Sequence, residues 1–216
     1  KAQALDETAS STAGDFYYKT ASGLRVSDGT SWSSVGEGAG GGAKNYITNG
    51  NGEGGATTDP DDMPEGWAKY EDAVDVVPVD GTAGTAAGLT FNTVASTTLN
   101  GNFNFSLLKE DSTNAKGQGV SYDFEIDSAD KAKKLIISFD YTTTVDYVDD
   151  DVRVFIYARN GTTGLRRVNG ENLKAVSGTG KHYAQFQTTS DSTEYRLILH
   201  VATVGADDYT INFDNV

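Results

Sequence analysis

An all-β protein, an antiparallel β-sandwich behind a small N-terminal hairpin arm, is what this sequence predicts. Three observations predict it. Apolar residues alternate with period two in the stretch Lys134–Tyr141, where Leu135, Ile137, Phe139 and Tyr141 share one side. They alternate again in the next segment, where Val152, Val154, Ile156 and Ala158 oppose Arg153, Phe155, Tyr157 and Arg159. A strand with one face in a core requires this pattern. Four further segments, Gly119–Ile126, His182–Gln187, Tyr195–Val201 and Tyr209–Phe213, repeat it, broken at short intervals by Gly, Asn, Asp and Ser. Regularly spaced short strands with turn signals and no long amphipathic helix read as a sandwich.

Composition narrows the function. The 216 residues suffice for one substantial β domain and a smaller piece. A net charge of −14 argues against a nucleic-acid partner. There is no cysteine, which rules out a disulfide scaffold and thiolate metal sites. The two histidines, His182 and His200, both fall inside strand patterns and read as strand residues rather than catalysts or metal ligands. No apolar run reaches the roughly 20 residues of a membrane span, so no membrane insertion is expected. No signal peptide is evident at Lys1. Because the first residue is not Met and the last segment reads as a strand, the sequence is expected to be a fragment or a processed product.

Residues 1–35 are expected to form an attachment arm. The first 13 are small and polar and have no apolar period. Two short strands follow, Phe16–Lys19 and Leu24–Ser27, joined by Thr20-Ala-Ser-Gly23, and Asp28-Gly29 then turns toward Trp32. A lone hairpin is marginal in water, so Phe16, Tyr17, Tyr18 and Trp32 need cover from elsewhere. The run Gly14–Trp32, with Tyr17-Tyr18, Leu24-Arg-Val26 and Asp28-Gly29 in order, resembles a short β element of bacteriophage tail-fibre and tail-appendage proteins. Residues 36–44 form a Gly-rich linker by composition. Its glycines are not followed by the Gly-Lys-Ser/Thr of a phosphate loop.

The sandwich is expected to run from 45 to 216. Gly66-Trp67 follows a polar loop, Ala73–Val79 and Gly88–Val94 are plausible strands, and Phe103, Phe105 and Leu107 share one face of another. Ser128–Lys134 is a short helical turn with Ser at its N-cap position. Asn160-Gly161 and Asn169-Gly170 signal tight turns. The opening Asn45-Tyr-Ile-Thr-Asn49-Gly50-Asn-Gly-Glu53, the Gly66-Trp67 pair and the closing Phe213-Asp-Asn-Val216 resemble carbohydrate-binding-module-like jelly rolls, which occur in glycanases and in phage tail proteins. Gly117–Asp130 followed by Leu135–Tyr141 resembles the phage and cyanobacterial versions. This resemblance implies a structural Ca2+ clipping the first and last strands, with Glu53 and Asp214 as side-chain ligands and Asn49 or Gly50 as a carbonyl ligand. Glu53 and Asp214 could equally cap loops or face water.

Other residues suggest ligand chemistry. Sugar sites pair flat apolar rings with amide, hydroxyl or charged partners. Trp67, Tyr70, Tyr147, Tyr157 and Tyr183 supply rings, and Arg153, Arg159 and Gln185 supply polar neighbours on outward strand faces. The ligand set expected is Tyr147, Tyr157, Tyr183, Arg153 and Arg159. Core burial is the leading reading for each ring, and Trp67 after Gly66 reads as core or edge packing. Asp146, Asp149, Asp150 and Asp151 lack the spacing of a twelve-residue calcium loop and read as a solvated connection, as do Asp59, Asp61 and Asp62. Among 31 acidic residues chance carboxylate pairs are certain, and no Gly-x-Ser-x-Gly is present, so no enzyme is expected.

The function expected from these readings is that of a bacteriophage virion protein, a tail fibre or capsid appendage. Its arm would dock on other virion subunits, and its sandwich would adhere to host-surface glycan or decorate the particle. The resemblance implies a homo-oligomer, with trimers the commonest arrangement in such fibres. A secreted carbohydrate-binding module and a filament subunit that donates a strand to its neighbour are the alternatives.

Overall fold

The computed structural model describes residues 16–19, 23–27, 32–34, 44–53, 63–71, 88–110, 115–159, 165–204 and 207–216. The chain divides into two compact units, 1–45 and 46–216. The strand expected at 73–79, the acids Asp59, Asp61 and Asp62, the turn at 160–161 and the Gly run at 36–43 lie outside the described residues.

In the first unit β1 (Phe16–Lys19), β2 (Gly23–Ser27) and β3 (Trp32–Ser34) form a three-stranded antiparallel sheet. Phe16 pairs with Val26, and Arg25 with both Tyr17 and Ser34. The expected hairpin is β1–β2. The third strand starts at Trp32, where the sequence suggested only the end of a turn.

The second unit is a jelly-roll sandwich of two five-stranded antiparallel sheets. Its strands are β4 (Trp67–Glu71), β5 (Leu89–Ala95), β6 (Phe103–Lys109), β7 (Gln118–Glu125), β8 (Lys134–Thr143), β9 (Val152–Arg159), β10 (Leu165–Asn172), β11 (Gly180–Gln187), β12 (Glu194–Val201) and β13 (Tyr209–Asp214). The first sheet has the order β10-β9-β12-β7-β4, and the second β11-β8-β13-β6-β5. Both sheets obey the period of two. Ile137, Phe139 and Tyr141 of β8 are buried while Ile136 is exposed, and Val152, Val154, Ile156 and Ala158 of β9 are buried as expected.

The core is centred on Trp67. Its indole lies 5.2–5.4 Å, centroid to centroid, from the rings of Phe91, Phe105, Tyr122 and Phe213, so one side chain joins both sheets. Burying large rings is the dominant favourable contribution such a fold has, at about 1.5–3 kcal/mol for each fully covered Phe or Leu. Gly66 precedes the indole with φ +83°, and a Cβ there would stand 2.6 Å from the Tyr122 ring. Gly thus permits both the backbone bend and the close approach of residue 66 to the Tyr122 ring.

Two local expectations are corrected. Asn169-Gly170 is no turn but lies inside β10, where the register against β9 shifts between Arg167 and Asn169. A bulge absorbs the flexible pair, and a Cβ on Gly170 would stand 2.7 Å from the Phe155 ring. The helical turn shrinks to a 3-10 turn, Ser128–Asp130, whose N-cap is Asp127 and not Ser128. In β6 Phe105 and Leu107 are buried, and Phe103 at the strand's start is half-buried.

Candidate functional site

The outward face of the first sheet concentrates the residues with binding chemistry. The core side of β9 is Val152, Val154, Ile156 and Ala158, so Arg153, Phe155, Tyr157 and Arg159 project the other way. Strand register then builds a grid. Tyr157 stands between Arg167 of β10 and Arg196 of β12, and Arg196 stands beside Asp123 of β7. Phe155 stands between Gly170 and Ile198, and Arg153 beside His200.

Phe155, Tyr157 and Ile198 form a buried apolar cluster separate from the main core. Tyr157 is only 4 % exposed, so its expected role as an open stacking platform is corrected. Its strand is flanked on both sides, by β10 and β12. The Arg167 guanidinium lies 5.7 Å from the centroid of the Phe155 ring.

The charges on this face are ordered. Arg196 grips Asp123 at two points, Nε to Oδ1 at 2.5 Å and a terminal nitrogen to Oδ2 at 2.8 Å. Arg159 donates to the same carboxylate. Arg153 and Arg167 make no ion pair among the described residues, and Arg153 Nε is buried without a hydrogen-bond acceptor. Burial holds the His200 imidazole near a pKa of about 4, and the positive charges of Arg153 and Lys116 push it the same way. His200 is therefore neutral at physiological pH.

The second sheet offers a smaller feature. On the outward side of its β11–β8 edge, Tyr183 pairs with Ser138 and Gln185 with Ile136. Tyr183 is 59 % exposed and Ile136 54 %, and Tyr183 is the one aromatic in the exposed class among the described side chains. Of the three expected ligand tyrosines, this is the one with an accessible ring. Tyr147 is corrected. It is buried, its hydroxyl donates to the carbonyl of Leu173 at 2.9 Å and accepts the amide of Val152 at 3.2 Å, and its ring edge meets Tyr209. Trp67 is core, in line with the leading reading of its place after Gly66, and the side chain of Tyr70 is not among those described.

A third place joins the ends of the second unit. Val216 N donates to Gly50 O at 2.8 Å, and Gly52 N to Asp214 Oδ1 at 3.4 Å. Glu53 Oε1 accepts the amides of Asn102 and Phe103 at 2.8 and 3.1 Å. The carbonyl of Asn49 accepts Trp67 Nε1 at 3.3 Å. Of the four expected calcium ligands, Asp214 alone has a buried oxygen, Oδ2, without a donor. Burial raises its pKa, and nearby Glu53 and Asp140 add to this. A hard oxygen-seeking cation at Asp214 would relieve both strains. Glu53, Asn49 and Gly50 already accept hydrogen bonds, and among the described residues no three acidic or histidine side chains converge on one point.

The acidic β8–β9 loop is held by ordinary contacts. Asp149 accepts the amide of Ala175, Asp150 pairs with Lys174 at 2.9 Å, and Asp151 accepts Val148 N and Thr203 Oγ1. His182 is buried against the Phe139 ring, which lowers its pKa by desolvation. Sequence reading missed Asp123, Arg167 and Arg196. One signal could have found the two arginines: all five beyond residue 45 fall in three segments that become adjacent strands; none marks Asp123.

No protein-family model and no curated protein matches this sequence. Solved structures do resemble this chain. A family 4 carbohydrate-binding module aligns with 72 % of this chain and 95 % of its own, at 18 % identity and a TM-score of 0.47. The N-terminal cellulose-binding domain of a Cellulomonas fimi β-1,4-glucanase aligns with 80 % of this chain and 95 % of its own, at 18 % identity and a TM-score of 0.45. The enzymatically active domain of a bacteriophage CBA120 tailspike protein aligns with 79 % of this chain and 20 % of its own, at 13 % identity and a TM-score of 0.49. The likeness is one of fold. It assigns no ligand to this chain.

Proposed function

We propose that this chain is a non-enzymatic glycan-binding virion protein, a tail fibre or capsid appendage of a bacteriophage. One observation carries the glycan part: the outward face of the first sheet sets arginines, Asp123 and His200 around an apolar cluster of Phe155, Tyr157 and Ile198. Ligand sites commonly present a few ordered polar groups on a rigid support, and here the buried rings are that support. Arg153 and Arg159, the expected polar contacts, stand here, and Tyr183 on the other sheet is a separate, exposed ring. The phage part is supported by the Gly14–Trp32 segment, whose strands β1–β3 would dock the arm onto other virion subunits. Trimeric assembly and a calcium ion at Asp214 belong to the same reading.

A secreted carbohydrate-binding module would use the same face, so glycan binding is common to both readings and assembly state separates them. The test is a glycan array probed with the full chain, together with light scattering on the purified protein. Retention of glycans by a trimer supports the virion reading, and retention by a monomer moves the chain to the secreted module. An array with no retained glycan, or cleavage of a bound one, overturns the proposal.

A further inference from the structure

All five arginines beyond residue 45, Arg153, Arg159, Arg166, Arg167 and Arg196, lie on the adjacent strands β10, β9 and β12. The chain carries a net charge of −14, so this clustering opposes its overall charge. The register places Arg167 and Arg196 on either side of Tyr157, and Arg153 and Arg159 at the two ends of the outward row of β9. Asp123 satisfies Arg159 and Arg196 together. Among the described residues Arg153 and Arg167 make no ion pair, although Asp150 feels the charge of Arg153, and Arg167 lies over the Phe155 ring. A guanidinium is a planar fork of donors that suits a carboxylate or sulfate at two points.

We infer that the ligand of this face is an acidic polysaccharide whose sugars carry carboxylates or sulfates. The inference rests on the glycan-binding reading above and names its substrate class. With Phe155 and Tyr157 buried, the groups a ligand meets are guanidinium planes rather than bare aromatic faces, and a neutral sugar makes little of those. The repulsive net charge does not prevent this. At physiological ionic strength fields fade over about 8 Å, so the local arginines outweigh distant carboxylates.

The test titrates the full chain with polygalacturonate, its neutral methyl ester, a sulfated dextran and polyglutamate. The expected result is at least tenfold tighter binding of polygalacturonate or the sulfated dextran than of the ester, weakening as salt rises from about 0.15 M to about 1 M. The tighter of the two acidic glycans tells carboxylate from sulfate. The double variant Arg153→Gln/Arg167→Gln should lose that preference while melting within a few degrees of the parent. Equal binding of acid and ester overturns the acidic class and leaves glycan binding standing. Acid binding that survives the double substitution overturns the assignment to this face. Equal binding of polyglutamate makes the partner an acidic protein and overturns the polysaccharide. Failure with all these polymers and with every arrayed glycan overturns both readings.

Discussion

The indole nitrogen of Trp67 donates to the carbonyl oxygen of Asn49 at 3.3 Å. The same ring packs against Phe91, Phe105 and Phe213 of the second sheet and Tyr122 of the first. One side chain thus ties the opening loop of the second unit to both layers of its core. Trp67→Ala should cost about 3–5 kcal/mol, a cavity term with an orphaned carbonyl added. Trp67→Phe should cost clearly less. Urea denaturation of the two variants measures the difference, and similar midpoints would remove Trp67 from the centre of the core.

Gly101 adopts φ +79°, and a Cβ there would fall 1.9 Å from Glu53 Oε1. Gly101→Ala therefore strains the backbone and drives Glu53 off the amides of residues 102 and 103. A loss of roughly 1–3 kcal/mol is expected. Adding Glu53→Ala should cost less in this background than in the parent, because the two substitutions disrupt one contact.

His200 is buried, and its pKa falls to about 4 from an ordinary value near 6.5. Its neutral form is the one the fold prefers. The sign follows: this contribution is fully present above pH 6.5 and is lost as pH falls through about 4. The full loss is roughly 3 kcal/mol. His182 is lowered in the same direction by its burial. Stability measured by denaturant between pH 7.5 and 4 should fall, and His200→Gln should flatten the fall. An unchanged slope in that variant would show that His200 titrates normally.

Asp214 behaves oppositely, because burial raises its pKa. The protonated form is favoured in the fold, so its stabilising share is present at low pH and is lost as pH rises through the raised value. In chelator at neutral pH, Asp214→Asn should melt no lower than the parent. Calcium should raise the melting temperature of the parent by several degrees and leave the variant unmoved. A parent insensitive to calcium would sink the proposed cation site.

Two tyrosines make a paired comparison. Tyr147→Phe removes a hydroxyl bonded to Leu173 O and Val152 N and should cost about 1–3 kcal/mol. Tyr183→Ala removes an exposed ring and should stay within about 0.5 kcal/mol of the parent. Thermal melts of both variants check the ordering.

Much of the fold is legible in the sequence. The alternation of Leu135, Ile137, Phe139 and Tyr141, and of Val152 through Ala158, names strands and their inner faces because side chains of an extended chain must point to opposite sides in turn. β10 is less legible. Its Arg-Arg start and Asn169-Gly170 pair carry turn chemistry, and only the ladder to β9 holds them extended. Part of the candidate site was legible too, since Arg153 and Arg159 follow from the outward half of β9.

By itself, then, the sequence determined that this is a β protein and which residues turn inward on most of its strands, since period two is a local property. Tertiary structure alone decided which strands became neighbours. That decision brought Gly52 to Asp214, placed Arg167 and Arg196 beside Tyr157, and buried a ring that local alternation assigned to the surface. The physical reason is that strand pairing is formed between segments far apart in the chain, and no local pattern specifies a strand's partner or what lies over its outer face.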